Sequence, residues 1–453
     1  MTTTTRYDVT TWPHGDATDD IGAVINDIIS AIKSDQREQH FGDAGKPGGV
    51  IYIPPGDYRL RTPVHVDISF LRIEGSGHGF TSSSIRFNVP AAEVGHLHEL
   101  WPGGSRVLVD LPGDGALPAT ERAAFVVART GSPRISSVEF AGFCIDGLHF
   151  TGEGPGGNPE NSYRNGRIGI LATEPNDSLR IIEMGVVYLE HGLWIEKADA
   201  LTVHDNFIAE CGNAIELREW GQATKVTDNL IGAGPNGHSI YAENHGGLLI
   251  AANNVFPRGS SSVHLTGVKR SSVTANRLHS FYPGMVIFDG GSSENLLGAN
   301  HLLRDLEPWT PFFGVDNGID DDYGLIRIEG DGNSIIGNHI SEVVDPAGVR
   351  PAGAAPVIVR IATGVGNHIA DNHTVASVVT ATANDECFEG QVDALLSGGE
   401  ADELAVTTVM VDAAARRNTI LDSGRDDQVI LDRRINAFRA TPGIPTDSPE
   451  ESL

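Results

Sequence analysis

The chain has 453 residues, with 54 glycines and 24 prolines but only 6% aromatic residues. This composition indicates many tight turns and few large core side chains, which favours all-β structure over a helical enzyme. The formal net charge of −28 disfavours nucleic acid and anionic membrane surfaces as partners, and a neutral substrate fits best.

Cysteine spacing and the amino terminus exclude further classes of protein. Cys144, Cys211 and Cys387 form no Cys-X-X-Cys pair, and the acids at 320–322 lack the alternating oxygen ligands of a calcium loop. We therefore expect no metal and no other cofactor. The start MTTTTRYDVTTW lacks the pattern of a signal peptide, and no apolar run reaches the roughly 18 residues of a membrane span. A cytoplasmic protein is expected, or a secreted one if the chain is a trimmed mature form.

The first predicted element is a helix over residues 19–33. Its apolar residues recur at spacings of three and four, and Asp19 or Asp20 can cap its amino end. The next run, GGVIYIPPGDYRL at 48–60, is rich in β-formers and broken by Pro-Pro-Gly-Asp. This order resembles the start of a pectin-lyase-like right-handed parallel β-helix, in which the helix covers the open end of the core.

A short repeated unit predicts the solenoid itself. A small or polar residue, an asparagine and an apolar residue recur, with the asparagine at 206, 229, 254, 276, 300, 338 and 372. The first four gaps, of 23, 25, 22 and 24 residues, match bare coils, and the gaps of 38 and 34 indicate coils that carry loops. We expect each asparagine to adopt a left-handed turn conformation and to join an amide ladder between coils about 4.8 Å apart.

These features predict one all-β fold, a right-handed parallel β-helix with an N-terminal capping helix. Residues 1–375 are expected to form a single β-helix domain that includes the cap. Residues 376–435, where the asparagine unit is lost, are expected to form a C-terminal extension that packs on the solenoid. Residues 436–453 are expected to be a mobile acidic tail.

The stretch VHDNFIAECGNAIEL, residues 203–217, places one acid in an unusual row. Strand alternation puts Glu216 on the outer face, and adding the coil repeat puts Trp194, Tyr241 and His264 beside it. Aromatic faces suit sugar rings, and apolar neighbours raise the pKa of a carboxyl group toward that of a general acid. The row therefore predicts a carbohydrate site, with an ordinary strand face covered by a loop as the alternative.

The other two acids of this stretch are expected to be structural. Glu210 faces outward or toward a neighbouring strand without aromatic companions. Asp205 directly precedes the turn asparagine and aligns with Asp228 one coil further on, which is typical of a residue that caps a turn. Catalysis by Asp205 remains the alternative at this point.

The same stretch resembles the difructose-dianhydride enzymes, glycoside hydrolase family 91, which comprises inulin fructotransferases and difructose anhydride III hydrolases. The resemblance covers about residues 7–375 and implies a right-handed β-helix, a homotrimer with active sites near subunit contacts, and no metal. It also implies a catalytic Asp and a catalytic Glu, which fall on Asp205 and Glu216. Further matching stretches are YDVTTW at 7–12, DIGAVINDII at 20–29, GHGF at 77–80, NSYRNG at 161–166, MGVVYLEHGL at 184–193, GLLIAANNVFPRG at 247–259 and FYPGM at 281–285.

Cleavage of a fructosidic bond needs two carboxyl groups, one to donate a proton and one to stabilise or trap the cation. We assign Glu216 as acid/base and Asp205 as nucleophile or stabiliser. Because the two lie on different faces of the coil, each site is expected to combine Asp205 of one subunit with Glu216 of its neighbour. The expected substrate-binding residues are Trp194, Tyr241, His264, Arg164, Asn165, Glu190 and His191.

The two family activities differ in the group that accepts the fructosyl unit. A transferase uses a hydroxyl of the substrate to close the dianhydride, whereas the hydrolase opens that ring with water. The missing signal-peptide pattern favours hydrolysis of difructose anhydride III to inulobiose, with inulin fructotransferase as the alternative. A calcium-dependent pectate lyase fits the charge of −28 poorly, and the Asp205/Glu216 pair argues against a non-catalytic, sugar-binding β-helix trimer.

Overall fold

The computed structural model describes residues 6–38, 48–78, 103–147, 164–234, 236–257, 259–305, 319–344, 356–378, 402–403, 406–421, 429–432 and 438–439. Within these ranges the chain winds into stacked coils, and successive coils add strands to three long sheets whose neighbouring strands run parallel. One described pair, Ser377 with Glu403, is antiparallel. The right-handed parallel β-helix predicted from the sequence is confirmed.

Each sheet takes about one strand from each coil, in chain order. The first sheet contains Arg6–Asp8, Gly49–Tyr52, Leu71–Glu74, Glu139–Ala141, Arg180–Ile182, Thr202–His204, Lys225–Thr227, Leu249–Ala251, Ser272–Thr274, Leu296–Gly298, Ser334–Ile336, His368–Ala370, Thr419–Ile420 and Phe438–Arg439. The second contains Gly56–Leu60, Ser105–Val109, Cys144–Asp146, Gly185–Val187, Phe207–Cys211, Leu230–Ala233, Asn254–Val255, Arg277–Ser280, His301–Asp305, His339–Val344, His373–Val378 and Asp402–Glu403. The third contains Val64–Val66, Ala123–Val127, Ile168–Ala172, His191–Asp199, Asn213–Gln222, His238–Glu243, Ser261–Thr266, Val286–Phe288, Ile326–Ile328, Val357–Ile361, Thr407–Val411 and Val429–Asp432, with Ile135–Ser136, Asn176–Asp177 and His245–Gly246 as short side strands.

The predicted capping helix spans Ala17–Glu38 and has extended backbone at Asp20 (φ −149°, ψ 88°). Asp20 Oδ1 accepts a hydrogen bond from the backbone N–H of Gly22 at 3.1 Å, so this acid caps the longer helical part as predicted. A Cβ on Gly22 would lie 1.9 Å from the carbonyl oxygen of Thr62, so the helix lies directly against the first coil. Its apolar face is buried in the main core and consists of Ile21, Val24, Ile25, Ile28, Ile29 and Ile32.

The other helical segments within the described residues are short, Ala119–Arg122 and the 3₁₀ turn Asp321–Tyr323. Among the described segments, no helix has an apolar stretch of membrane-spanning length. Cys144 and Cys211 are buried and form no disulfide bond with each other, and Cys387 lies outside the described residues.

The asparagine ladder is present, but two details of its prediction were wrong. The residue in the ladder is Asn253 and not Asn254, because Asn229 Nδ2 donates to Asn253 Oδ1 at 2.9 Å. The left-handed residue is the one before each asparagine, for example Asp205 (φ 55°) before Asn206. Each ladder asparagine instead points inward, since its side chain must reach the amide of the next coil and a backbone carbonyl of the preceding one.

A second ladder lies at another corner of the coils and was not predicted. It joins Asn295, Asn333, Asn367 and Asn418, whose side-chain amides bond from coil to coil at 3.0, 3.2 and 3.0 Å. Its spacing in the sequence is irregular, because the later coils carry loops of different lengths. The ladder extends the stacked coils beyond residue 375.

Strands after residue 375 bear on the expected domain division without deciding it. Thr407–Val411 and Thr419–Ile420 pair in parallel with the third and first sheets. The division into residues 1–375 and a packed extension at 376–435 therefore stays a prediction. Of the expected tail, Phe438–Arg439 pairs with the first sheet, and residues 440–453 lie outside the described residues.

Asn253→Ala is expected to lower the free energy of unfolding by about 3 kcal/mol, because it leaves several buried amide groups without partners. Asn253 is 1% exposed and bonds to Asn229, Asn276 and the carbonyl oxygen of Val226. Asn254→Ala is the matched control, since that side chain is half-buried and, among the described residues, accepts a bond from Arg277 at 3.3 Å. Thermal unfolding of both variants shows which of the two asparagines belongs to the ladder. Equal losses of stability in the two variants would contradict the assignment of Asn253.

Candidate active site

The predicted row of outer-face residues is confirmed by the strand register. Trp194 pairs with Glu216, Glu216 with Tyr241, and Tyr241 with His264 on four consecutive strands of the third sheet. Ile215 is fully buried on the core side of the same strand. The coil repeat thus predicted correctly which residues lie next to one another on successive coils of this face.

Glu216 lies on the outer face but is only 1% exposed, because polar neighbours cover its carboxyl group. His191 Nδ1 bonds to Oε2. On the other oxygen, Oε1, Arg218 donates from Nη2 at 2.5 Å and from Nε at 3.2 Å, and Asn213 Nδ2 donates at 3.3 Å. Both oxygens of the carboxyl group therefore have their own partners.

The pKa of Glu216 lies below its ordinary value, and the expected rise was wrong. Burial alone raises this pKa, but the hydrogen bond and electrostatic attraction of His191, together with those of Arg218, outweigh burial. Neighbouring aromatic rings are present as predicted, yet they do not form the immediate surroundings of the carboxyl group. Glu216 is consequently ionised near neutral pH, which suits a nucleophile, a base or a cation stabiliser better than a proton donor.

Arg218 lies between the two predicted aromatic residues. Its guanidinium carbon is 5.2 Å from the ring centroid of Trp194 and 5.1 Å from that of Tyr241. The polar ends of both rings are also bonded, Trp194 Nε1 to Glu196 at 3.0 Å and the Tyr241 hydroxyl to Glu243 at 3.1 Å. That Arg218 holds Glu216 was not predicted from the sequence.

His238 is a further member of this cluster that the sequence prediction missed. Its ring stacks on Tyr241 with centroids 5.5 Å apart and meets His264 edge-on at 5.1 Å. Burial, reinforced by His264, lowers the pKa of His238 to about 4, so the imidazole is neutral near pH 7. The signal was available, since His191 pairs with Asn213, and Asn213 Oδ1 accepts from the N–H of His238. Adding the coil repeat to His191, as for Glu216, leads to Asn213 and then to His238.

His264, the last residue of the predicted row, faces a carboxylate on the next coil. Its Nε2 lies 2.9 Å from Asp289 Oδ2. The cluster around Glu216 thus continues for three coils beyond it, to Asp289, as an alternation of rings and charged groups. Such a surface offers both hydrogen-bonding groups and ring edges to a sugar.

Asp205 lies elsewhere on the coil. It is exposed and occupies the left-handed corner (φ 55°) between Thr202–His204 of the first sheet and Phe207–Cys211 of the second. His78 reaches this corner, where a Cβ on Gly185 would lie 3.2 Å from its Cβ. Burial lowers the pKa of His78, and the charge of Asp205 opposes that effect. A single chain therefore carries Asp205 and Glu216 on different sides of the solenoid.

The other expected substrate-binding residues lie near the amino ends of the paired strands His191–Asp199 and Asn213–Gln222. Asn165 Nδ2 donates to the carbonyl oxygen of Tyr188 at 2.6 Å, and Glu190 Oε2 accepts from the N–H of Gly166 at 2.6 Å. Both side chains thus hold the loop at 164–167 in place. Arg164 is exposed at the start of this loop. His191 alone of this group contacts Glu216.

Glu210, predicted to be structural, is 8% exposed and adopts a left-handed conformation (φ 55°) in an irregular part of its strand. It lies on the second sheet, away from the Glu216 cluster. In the part of the chain that the structure describes, no group of three or more His, Cys, Asp or Glu side chains is arranged to hold a metal ion.

Comparison with known proteins identifies relatives of the whole chain. The family model described as "Beta helix repeat of Inulin fructotransferase" matches residues 299–442, and that of "Periplasmic copper-binding protein (NosD)" matches residues 141–307. The DFA-I-forming inulin fructotransferase of Arthrobacter globiformis is 42% identical over 380 residues, which is 83% of this chain and 90% of that protein.

Solved structures of a DFA-IIIase from Arthrobacter chlorophenolicus A6 are more similar still. The complex with DFA-III is 66% identical, covers 97% of this chain and 99% of its own, and has a TM-score of 0.89. The complex with GF2 is 65% identical, covers 98% of this chain and 100% of its own, and has a TM-score of 0.88.

Proposed function

Because this chain belongs to the family of the inulin fructotransferases and difructose anhydride III hydrolases, we propose that it hydrolyses difructose anhydride III to inulobiose. The observation that carries the choice is the 66% identity to a DFA-IIIase bound to DFA-III over 97% of the chain, against 42% to an inulin fructotransferase. The covered, ionised Glu216 supports an enzyme over a non-catalytic trimer.

The substrate is a neutral fructose disaccharide, and it binds on the outer face of the third sheet. The neutral imidazole of His238 supplies hydrogen bonds there without adding charge. His264, Trp194 and His191 line the same face. Arg164, Asn165 and Glu190 form its border at the 164–167 loop.

Glu216 and Asp205 are the catalytic pair, with roles opposite to those expected from the sequence. The carboxylate of Glu216 stabilises or traps the cation that forms at the anomeric carbon, because His191 and Arg218 keep it ionised. Asp205 donates the proton to the leaving oxygen, and water then adds to the anomeric carbon and returns a proton to Asp205. Asp205 is exposed, so it is free to approach a bound sugar.

The pair is completed in a homotrimer, in which Asp205 of one subunit meets Glu216 of its neighbour. The placement of the two acids on different sides of one solenoid supports this arrangement. A head-to-tail threefold contact joins two different surfaces and so can bring such residues together.

Product analysis tests the proposed function. The protein is incubated separately with difructose anhydride III and with inulin, and the products are separated by chromatography. Inulobiose from the dianhydride is expected. A difructose anhydride from inulin, with no opening of difructose anhydride III, would establish the fructotransferase instead, and the absence of both products would overturn both activities.

A further inference from the structure

We propose that Arg218 is a positioning residue for Glu216, and that Trp194 and Tyr241 serve to hold its guanidinium group in place. This inference rests on the proposed function. It assigns the two aromatic residues a role different from stacking on a sugar ring, which is the role their residue types suggested.

The first support is the order of side chains across three strands. Arg218 is on the middle strand, with its guanidinium over the ring of Trp194 on one side and over that of Tyr241 on the other. On the same strands as these rings, His191 lies 5.0 Å from the Trp194 ring and His238 stacks 5.5 Å from the Tyr241 ring. The rings thus already have planar partners within the protein. A guanidinium group between aromatic faces is stabilised by cation–π attraction and is restricted in orientation.

The second support is the bonding of the carboxyl group. Arg218 directs two N–H groups, Nε and Nη2, to the same oxygen of Glu216, at 3.2 and 2.5 Å. A planar guanidinium group held between two rings fixes the position of that oxygen, which a flexible ammonium group would not do. Glu216 is 1% exposed, so water cannot replace the lost bonds if Arg218 is removed.

The third support is electrostatic. The charged or titratable groups around Glu216 are His191 and Arg218 in direct contact and His238 on the next strand. Glu196 on the preceding strand and Glu243 on the next strand lie beside Arg218. Arg218 is the permanently charged cation among them. Its loss leaves the burial of Glu216 opposed only by the hydrogen bonds of His191 and Asn213, so the pKa of Glu216 is expected to rise.

The test compares Arg218→Met, Arg218→Lys and the control Arg270→Met, whose guanidinium pairs with the exposed Glu294 at 2.6 Å. For Arg218→Met we expect kcat on difructose anhydride III to fall about 100-fold with little change in KM, because a misplaced reacting group costs rate. Activity needs ionised Glu216 and is lost as the pH falls through its pKa, so the acid limb of the kcat profile should move to higher pH. Arg218→Lys should restore the acid limb but not kcat. Arg270→Met should match the wild type in both.

Tyr241→Leu distinguishes a ring that holds Arg218 in place from a ring that stacks on the sugar. If Tyr241 acts through Arg218, its substitution lowers kcat in the wild type but adds little in the Arg218→Met background. If the ring stacks on sugar, KM rises by the same factor in both backgrounds, and the inference is wrong. It is equally wrong if Arg218→Met keeps wild-type kcat and an unchanged acid limb.

A readout without substrate keeps this test independent of the proposed function. At neutral pH, Arg218→Met should lower the melting temperature in the wild type but much less in a Glu216→Gln background, where no buried charge loses its partner. One outcome is that the wild type fails to open difructose anhydride III while the effect of Arg218→Met on the melting temperature still depends on Glu216. In that case the proposed function is wrong, and the positioning of Glu216 by Arg218 is supported. Equal shifts of the melting temperature in the wild-type and Glu216→Gln backgrounds would contradict the positioning of Glu216 by Arg218.

Discussion

Glu216→Gln is expected to reduce kcat on difructose anhydride III by roughly 10³-fold, with little change in KM. The amide is nearly the same size as the carboxyl group but carries no charge, so it can neither trap nor stabilise the anomeric cation. The loss is expected at every pH, because the variant removes the titrating group itself. Its neighbours His191 and Arg218 remain in place, so the change isolates the charge of Glu216.

Initial rates of inulobiose formation measure this effect, and Glu210→Gln is the matched control. Glu210 is on the same coil and is also buried, but it lies on the second sheet. Its variant is expected to keep kcat within about twofold. Melting temperatures of both proteins show whether either has lost its fold. A Glu216→Gln enzyme with more than a tenth of wild-type kcat, or an equal loss in Glu210→Gln, would contradict the assignment.

The position of Glu216 was predictable because a β-helix repeats its register. Once the coil length is known, addition alone leads from Glu216 to Trp194, Tyr241 and His264, and the strand pairs agree. The repeat also predicted the fold, whereas the capping helix was predicted from apolar residues at spacings of three and four. The addition depends on backbone geometry, which a repeated sequence pattern reports directly.

The ionisation of Glu216 was not predictable in this way. Alternation states which side of a strand a residue faces but not which side chains cover it. The groups that lower its pKa are His191, in another row of the preceding strand, and Arg218, two residues further along its own strand. A side chain as long as Arg218 can lie over either neighbour, and only the three-dimensional packing decides between them.

The error at the asparagine ladder has a related cause. Asn253 and Asn254 are adjacent, and both fit a repeat of about 23 residues. In a strand a shift of one residue exchanges the inner and outer faces, so a small ambiguity in spacing places the wrong side chain in the core. The backbone conformation was misjudged because the corner before Asn206 uses Asp205 as its left-handed residue, leaving the amide free to point inward.

Chains carrying Asp205→Asn and chains carrying Glu216→Gln are each expected to be inactive, and co-assembly of the two should restore about a quarter of wild-type activity. In a threefold ring each site takes Asp205 from one subunit and Glu216 from the next. With equal amounts and random assembly, each of the two contributors is the suitable variant half of the time. Both conditions are therefore met at about one site in four.

Co-expression with two different affinity tags yields the mixed trimers, and a second mixture serves as the control. Wild-type chains are combined with chains that carry both substitutions. A site shared between subunits then needs two wild-type neighbours and is intact about a quarter of the time, whereas a site within one chain is intact in about half of the subunits. No recovery in the first mixture, together with half activity in the second, would show that one chain holds the whole pair. In that case the corner at Asp205 and the face at Glu216 would have to be joined by a movement of this chain, which its stacked coils and continuous asparagine ladder oppose.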